Sequence, residues 1–306
     1  MARAAVELTA GFILVDKPVG PSSHKAVQTV RFALGVGGRR GKKAGHAGTL
    51  DPFASGLLVV LLGRATRLMP YVVGHDKRYL VGIRFGASSD TDDIAGELTL
   101  DAAPAPERAD VEHALAELAL ATEQIPPSIS ALHVDGERAH RRVRAGETVE
   151  LPARPIRFDA VKLIEWQEPQ NDETGPRIVL DVRCGTGTYM RALARDLGRA
   201  VGCAAHCEDL RRTEVGEWLV EAATEPLLVE PGHIHDPARL LQGIPLETLA
   251  DEAHLASIID GRSVEVAAPL GMVALLAPDS TLAAIAEVRE DGRAHPRTVI
   301  APDHRP

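Results

Sequence analysis

Gly11-Phe12-Ile13-Leu14-Val15 is an unbroken apolar run closed by Asp16-Lys17-Pro18, the pattern of a short buried strand. Ser22 or Ser23 then caps a helix whose apolar positions Ala26, Val27, Val30 and Leu34 follow helical spacing, with Gly35 as the stop. Residues 56–62 read as a second apolar strand, 66–73 as a helix, 78–85 as a strand and 109–119 as a helix. Residues 88–97, which are acidic, and 102–106, rich in Pro and Ala, read as loops. From 125 to 185 short β-rich runs alternate with turn residues, with a soft insertion at 168–176 and the clearest strand at 178–182. Residues 189–201 form an amphipathic pattern that puts Arg191, Arg195 and Arg199 on the polar side of a helix.

Strands and helices intermix without strict β-α-β alternation, which favours an α+β fold over a doubly wound sheet. The composition shifts near residue 225, and 264–300 looks like a small β-rich appendage. We therefore expect a large domain at 1–235 and a small one at 236–306, without internal repeats. The chain has 306 residues, 45% hydrophobic and 25% charged, ordinary for a globular protein. It has no apolar run long enough for a membrane span and no apolar export signal near Met1, so the expected location is the cytoplasm. Cys184, Cys203 and Cys207 are an odd set without a Cys-x-x-Cys pair, consistent with free thiols in a reducing compartment.

Charge changes this picture. The net charge is −9, yet residues 11–85 hold twelve Lys and Arg against Asp16, Asp51 and Asp76, so this third carries +9 and the remainder −18. From Glu214 onward sixteen acids face six arginines. Such segregation marks a directed face for a polyanion. Aromatic residues make up only 3% of the chain, too few for a repeated base-stacking platform.

Within the basic third, Asp51 stands out in Gly45-His46-Ala47-Gly48-Thr49-Leu50-Asp51-Pro52. The residue before proline is pushed toward extended backbone, and Gly45 and Gly48 permit turns or close approaches that a Cβ forbids. A lone carboxylate on such a loop is either a reactive group facing a polyanion or an Asp-Pro turn capping its own backbone. Gly41-Lys42-Lys43 is not a phosphate loop, because Val36 stands where a glycine is needed and Lys43 where Ser or Thr is needed. Arg39, Arg40, Lys42 and Lys43 are read instead as phosphate contacts of the salt-sensitive, sequence-independent kind. Cys203-x-x-His206-Cys207 offers three potential ligands without a fourth at a familiar spacing, so no metal is expected. Leu180 to Gly187 runs from a strand into Gly-x-Gly and a helix, similar to the first motif of S-adenosylmethionine methyltransferases. The third glycine of a dinucleotide fingerprint is missing there, with Met190 in its place.

Four strings occur in order: Gly-Phe-Ile-Leu-Val-Asp-Lys-Pro-x-Gly (11–20), Gly-His-Ala-Gly-Thr-Leu-Asp-Pro (45–52), Asp-Lys-Arg-Tyr (76–79) and Gly-Thr-Tyr-Met-Arg (187–191). Together they resemble the TruB family of bacterial tRNA pseudouridine-55 synthases, from Gly11 to about Val215, with the tail resembling more faintly that family's small PUA-like RNA-binding domain. The resemblance implies a mixed, mainly antiparallel sheet flanked by helices, and an isomerase acting on a uridine flipped out of the T-loop of tRNA, without cofactor. It implies that Asp51 is the nucleophile, that Tyr79 packs on the target base and is involved in removing the C5 proton, and that Arg191 holds Asp51. Tyr189 and Leu210 would line the uracil pocket, His46 would help displace the nucleotide, and Lys17 would support the site from beneath. The partner is then tRNA through its T-arm; no protein partner is implied and a monomer is the default.

The residue chemistry agrees. Flipping a base costs a few kcal/mol, which an aromatic face and an inserting side chain offset. Ser55 stands where the family commonly has threonine, His133 where lysine is common and His140 where tyrosine is usual. Two alternatives remain at this level, a non-catalytic tRNA-binding folding helper and the methyltransferase.

Overall fold

The computed structural model describes residues 10–35, 43–128, 133–134, 137–138, 151–169 and 175–301. The basic residues Arg39, Arg40 and Lys42, the His140 position and the side chain of His133 lie outside the described residues.

The first apolar run forms the strand Ala10–Lys17, paired antiparallel with Ser55–Gly63 from Ala10 opposite Gly63 to Lys17 opposite Gly56. Both strands are apolar at consecutive positions because both faces of the sheet are covered here. Ile13, Val15, Leu58, Val60 and Leu62 face one core together with Ala26, Val27 and Val30 of the helix Ser23–Ala33. Phe12, Leu14, Leu57, Val59 and Leu61 face a second core on the other side. Ser22 caps the helix by accepting from the Lys25 amide, as its sequence predicts.

The sheet continues through Ala205–Val215, Lys77–Phe85 and Arg177–Cys184 to the edge strand Phe158–Gln167. All these neighbours run antiparallel except Ser55–Gly63 and Ala205–Val215, which are parallel at Arg211–Ser55 and Arg212–Gly56. The α+β expectation and the mixed, mainly antiparallel sheet are met. The strand Ala205–Val215, the middle of the sheet, is absent from the sequence expectations. Its string of His206, Glu208, Asp209, Arg211, Arg212 and Glu214 hides it from a hydrophobic-pattern reading.

One edge of Ser55–Gly63 serves two partners. Ala44–Ala47 pairs with Val59 to Leu62, whereas Arg211 and Arg212 pair with Ser55 and Gly56. The sheet forks there, and the loop carrying Asp51 fills the fork. Gly56, at φ 104°, lets the Arg212 backbone approach so closely that a Cβ would stand 2.2 Å from the Arg212 carbonyl oxygen.

The expected helix at 66–73 is instead a 3₁₀ turn, Arg64–Leu68, followed by the short helix Met69–Val73. Pro70 has no N–H to continue the first turn's ladder, so it starts a new helix rather than extending the old one. The helices Arg108–Leu118 and Met190–Val201 cover the first core. The tail forms its own five-stranded sheet with the helix Glu252–Ile259. Ala274, Leu282, Ile285 and Ile300 of this unit complete the second core beneath Phe12 and Leu57, and Arg67 Nη1 donates to the Val299 carbonyl at 2.6 Å. The rest of that sheet face is closed by ions: Arg78 binds Asp181 and Glu214 at 2.6 and 2.7 Å, and Arg177 and Arg84 share Glu208.

Candidate active site

The loop between Ala44–Ala47 and Ser55–Gly63 presents Asp51 in extended company but pins its backbone from three directions. Ser23 Oγ, at the start of the first helix, donates to the Leu50 carbonyl at 2.7 Å and accepts from the Leu50 amide at 2.8 Å. The Gly20 amide donates to the Pro52 carbonyl at 2.7 Å. From below, Arg212 donates to the carbonyls of Gly48 (3.2 Å), Thr49 (3.4 Å) and Leu57 (2.7 Å). Gly48 has φ 90°, a conformation that favours glycine.

Asp51 meets Arg191 across the fork, Oδ2 to Nε at 3.0 Å. The Asp51 side chain is 37% exposed and the Arg191 side chain only 7%, so the carboxylate looks outward from a buried cation. Arg191 also faces Asp93 at 3.4 Å and donates to the Thr91 carbonyl at 2.8 Å. One helical turn on, Arg195 pairs with Asp92 at 3.0 Å and donates to the Ile125 carbonyl. Of the three arginines on the helix's polar side, Arg191 and Arg195 turn inward because the loop at 90–96 brings carboxylates to them, whereas Arg199 is exposed. Buried Gln124 fixes the helix start, accepting from the Tyr189 amide at 2.9 Å and donating to the Tyr189 carbonyl at 3.2 Å.

Tyr79 lies opposite Arg212 on one neighbouring strand and opposite Val182 on the other, with Leu210 two residues along on the same face. Burial pushes the Tyr79 phenol up, and the Arg212 charge is the chief opposing influence. Tyr189 is half-buried and its phenol is also raised by burial. Lys17 is fully buried, donates to the carbonyls of Pro18 (2.8 Å) and Pro21 (2.9 Å), and is lowered to about 8 by burial against the attraction of Asp51. His46 is held below its ordinary value by burial, then by Arg212 and His24, so it is neutral at pH 7.

The structure thus gathers Asp51, Tyr79, Arg191, His46, Tyr189, Leu210 and Lys17 around one fork. Lys43 is exposed at the foot of the Ala44–Ala47 strand. Sequence reasoning missed Asp93, Arg212 and the buried Lys77 as site residues; Asp93 lies within the acidic stretch 88–97 read as loop. Strand Arg177–Cys184 is antiparallel to both neighbours, whereas a Gly-x-Gly nucleotide site needs a parallel β-α-β unit. That geometry, with Arg191 beside Asp51, removes the methyltransferase reading. His206 and Cys207 are adjacent on a strand, so their side chains leave opposite faces.

Comparison with known proteins gives the fold and the family. Solved structures share the fold: the archaeal box H/ACA sRNP Nop10-Cbf5 complex matches at TM-score 0.66 and 21% identity, covering 96% of this chain and 87% of that one. A Cbf5-Nop10-Gar1 complex matches at 0.66 and 22%, covering 95% and 85%. The fold is that of the pseudouridine synthases. The description "TruB family pseudouridylate synthase (N terminal domain)" matches residues 38–190, and "tRNA pseudouridylate synthase B C-terminal domain" matches 191–235. The tRNA pseudouridine synthase B of Leifsonia xyli is 42% identical over 290 residues, 91% of this chain and 93% of that protein. That of Parasynechococcus marenigrum is 38% identical over 296 residues, 95% and 97%. The chain belongs to the TruB family.

Proposed function

We propose that this chain converts uridine to pseudouridine at position 55 in the T-loop of tRNA, with Asp51 as the acting carboxylate. The observation that carries the reading is the outward-facing Asp51 fixed at 3.0 Å by the buried Arg191. A nucleophile needs a fixed direction, and the ion pair supplies it without covering the free oxygen. The reaction balances without a cofactor: the N1–C1′ bond breaks, the base turns, C5 bonds to C1′, C5 loses one proton and N1 gains one. In this reading Tyr79 is the face against the base and the acceptor of the C5 proton. Tyr189 and Leu210 line the pocket, and His46, neutral beside the loop, fills the space the flipped base leaves.

The basic amino-terminal third, including Lys43, holds tRNA phosphates by the salt-sensitive mode. Residues 236–306 form the small PUA-like unit that adds RNA contacts, and the enzyme works as a cytoplasmic monomer. The test is an unmodified tRNA transcript incubated with the protein and mapped for pseudouridine. Conversion at position 55 supports the reading. Tight binding without conversion points to the folding helper and contradicts it.

A further inference from the structure

Arg212 is the largest fully buried side chain among the described residues, 1% exposed. Its hydrogen bonds run to the carbonyls of Leu57, Thr49 and Gly48, and among the described residues no ion pair joins it to a carboxylate. Burying a guanidinium without a counter-ion is costly, and an apolar side chain of similar volume is often the more stable choice. A staple between two strands and a loop therefore does not by itself account for a charge at this position.

The charge does have a second neighbour. Arg212 stands directly opposite Tyr79 in the antiparallel ladder, so both side chains leave the same face. The guanidinium charge favours the phenolate form of Tyr79. Burial, Cys184 and Asp51 all make the phenolate harder to form, and Arg212 is the group that opposes them.

We propose that Arg212 is a further positioning residue of the reaction: facing Tyr79 across the ladder, its charge stabilises the phenolate that takes the C5 proton, while its hydrogen bonds clamp the Asp51 loop. The inference rests on the reading of Tyr79 as proton acceptor. In the step, the C5–H electron pair restores the uracil double bond, the proton passes to the Tyr79 oxygen, and the phenol returns it to solvent as N1 gains one. No further reactant is needed.

The other titratable groups facing this spot are Lys17, His46, Lys77, Cys184 and Asp51, from four strands and the loop; the variants below leave them intact. The experiment is single-turnover release of tritium from tRNA carrying 5-tritiated uridine, enzyme in excess, from neutral to alkaline pH. Wild type, Arg212→Gln, Arg212→Lys and Tyr79→Phe are compared, each checked for folding by melting and for tRNA binding. Arg212→Gln is expected to slow release by about 100-fold with tRNA affinity nearly unchanged, and to move the rise of rate to higher pH. Arg212→Lys keeps a cation and is expected to keep the pH profile better than Arg212→Gln does. If Arg212→Gln does not fold, Arg212→Lys carries the test: 3-fluorotyrosine at position 79, a more acidic phenol, should restore part of its lost rate. A folded Arg212→Gln with near-wild-type release overturns the inference. So does slowed release with the pH profile in place, or a lysine variant that fluorotyrosine leaves unimproved. A Tyr79→Phe enzyme that releases tritium normally sinks the reading of Tyr79 itself, whereas an inactive one beside a normal Arg212→Gln sinks only the role of Arg212.

Discussion

Arg191 and Arg212 are nearly equally buried and hold the same loop, yet by opposite means. Arg191 comes from a helix above the fork and binds carboxylates, Asp51 and Asp93, fixing the direction of a side chain. Arg212 comes from the central strand below and binds carbonyls, fixing the path of the backbone. The difference separates two tasks that one loop must meet. The loop has to stay in place, and the carboxylate has to point outward.

Removing the upper grip has the largest expected effect. Arg191→Met should slow tritium release by about 10²–10³-fold, the scale of losing one charged orienting group. It should also cost roughly 3–5 kcal/mol of stability, because Asp93 is left buried without its cation. A melting point close to wild type would contradict this view of Asp93. Ser23→Ala attacks the loop from the side: with Leu50 N–H and C=O both losing a partner, about 1–3 kcal/mol should be lost in denaturant unfolding.

Lys77 sharpens the contrast on the carbonyl side. Its ammonium binds the carbonyls of Val73 and His75 and is lowered by burial from 10.5 to about 8. The folded chain therefore releases this proton before the unfolded chain does. Between pH 8 and 10.5 the unfolded state holds more protons, and stability from this group rises with pH. Wild type should gain roughly 1–3 kcal/mol relative to Lys77→Met across that window, a difference that pH-dependent unfolding measures. A constant difference would show that the ammonium is not strained by burial. Arg78→Ala marks the bottom of the scale. Its ion pairs are partly exposed, so less than about 1 kcal/mol and no change in rate is expected.

The contrast also separates what the sequence made legible from what it hid. Strands buried on both faces, such as Ala10–Lys17 and Ser55–Gly63, announce themselves as apolar runs. The central strand does not, because its outward residues are paired ions such as Glu208 and Glu214 and one of its inward residues is Arg212. Asp51, Tyr79 and Arg191 came from motif strings, and the structure brings them together. Asp93 and Arg212 carry no local signal. Their meaning lies in a fold that brings residues 48, 79, 93, 191 and 212 to one point. Two cations of the basic third, Lys17 and Lys77, are buried and bind backbone carbonyls instead of facing outward.

The central claim is that Asp51 is the carboxylate that acts on the uridine. Single-turnover tritium release from 5-tritiated uridine in tRNA, wild type against Asp51→Asn, tests it most directly. The near-isosteric amide should leave the fold and tRNA binding intact and abolish release, a loss of at least about 10³-fold. Normal release from a folded Asp51→Asn enzyme would contradict the account.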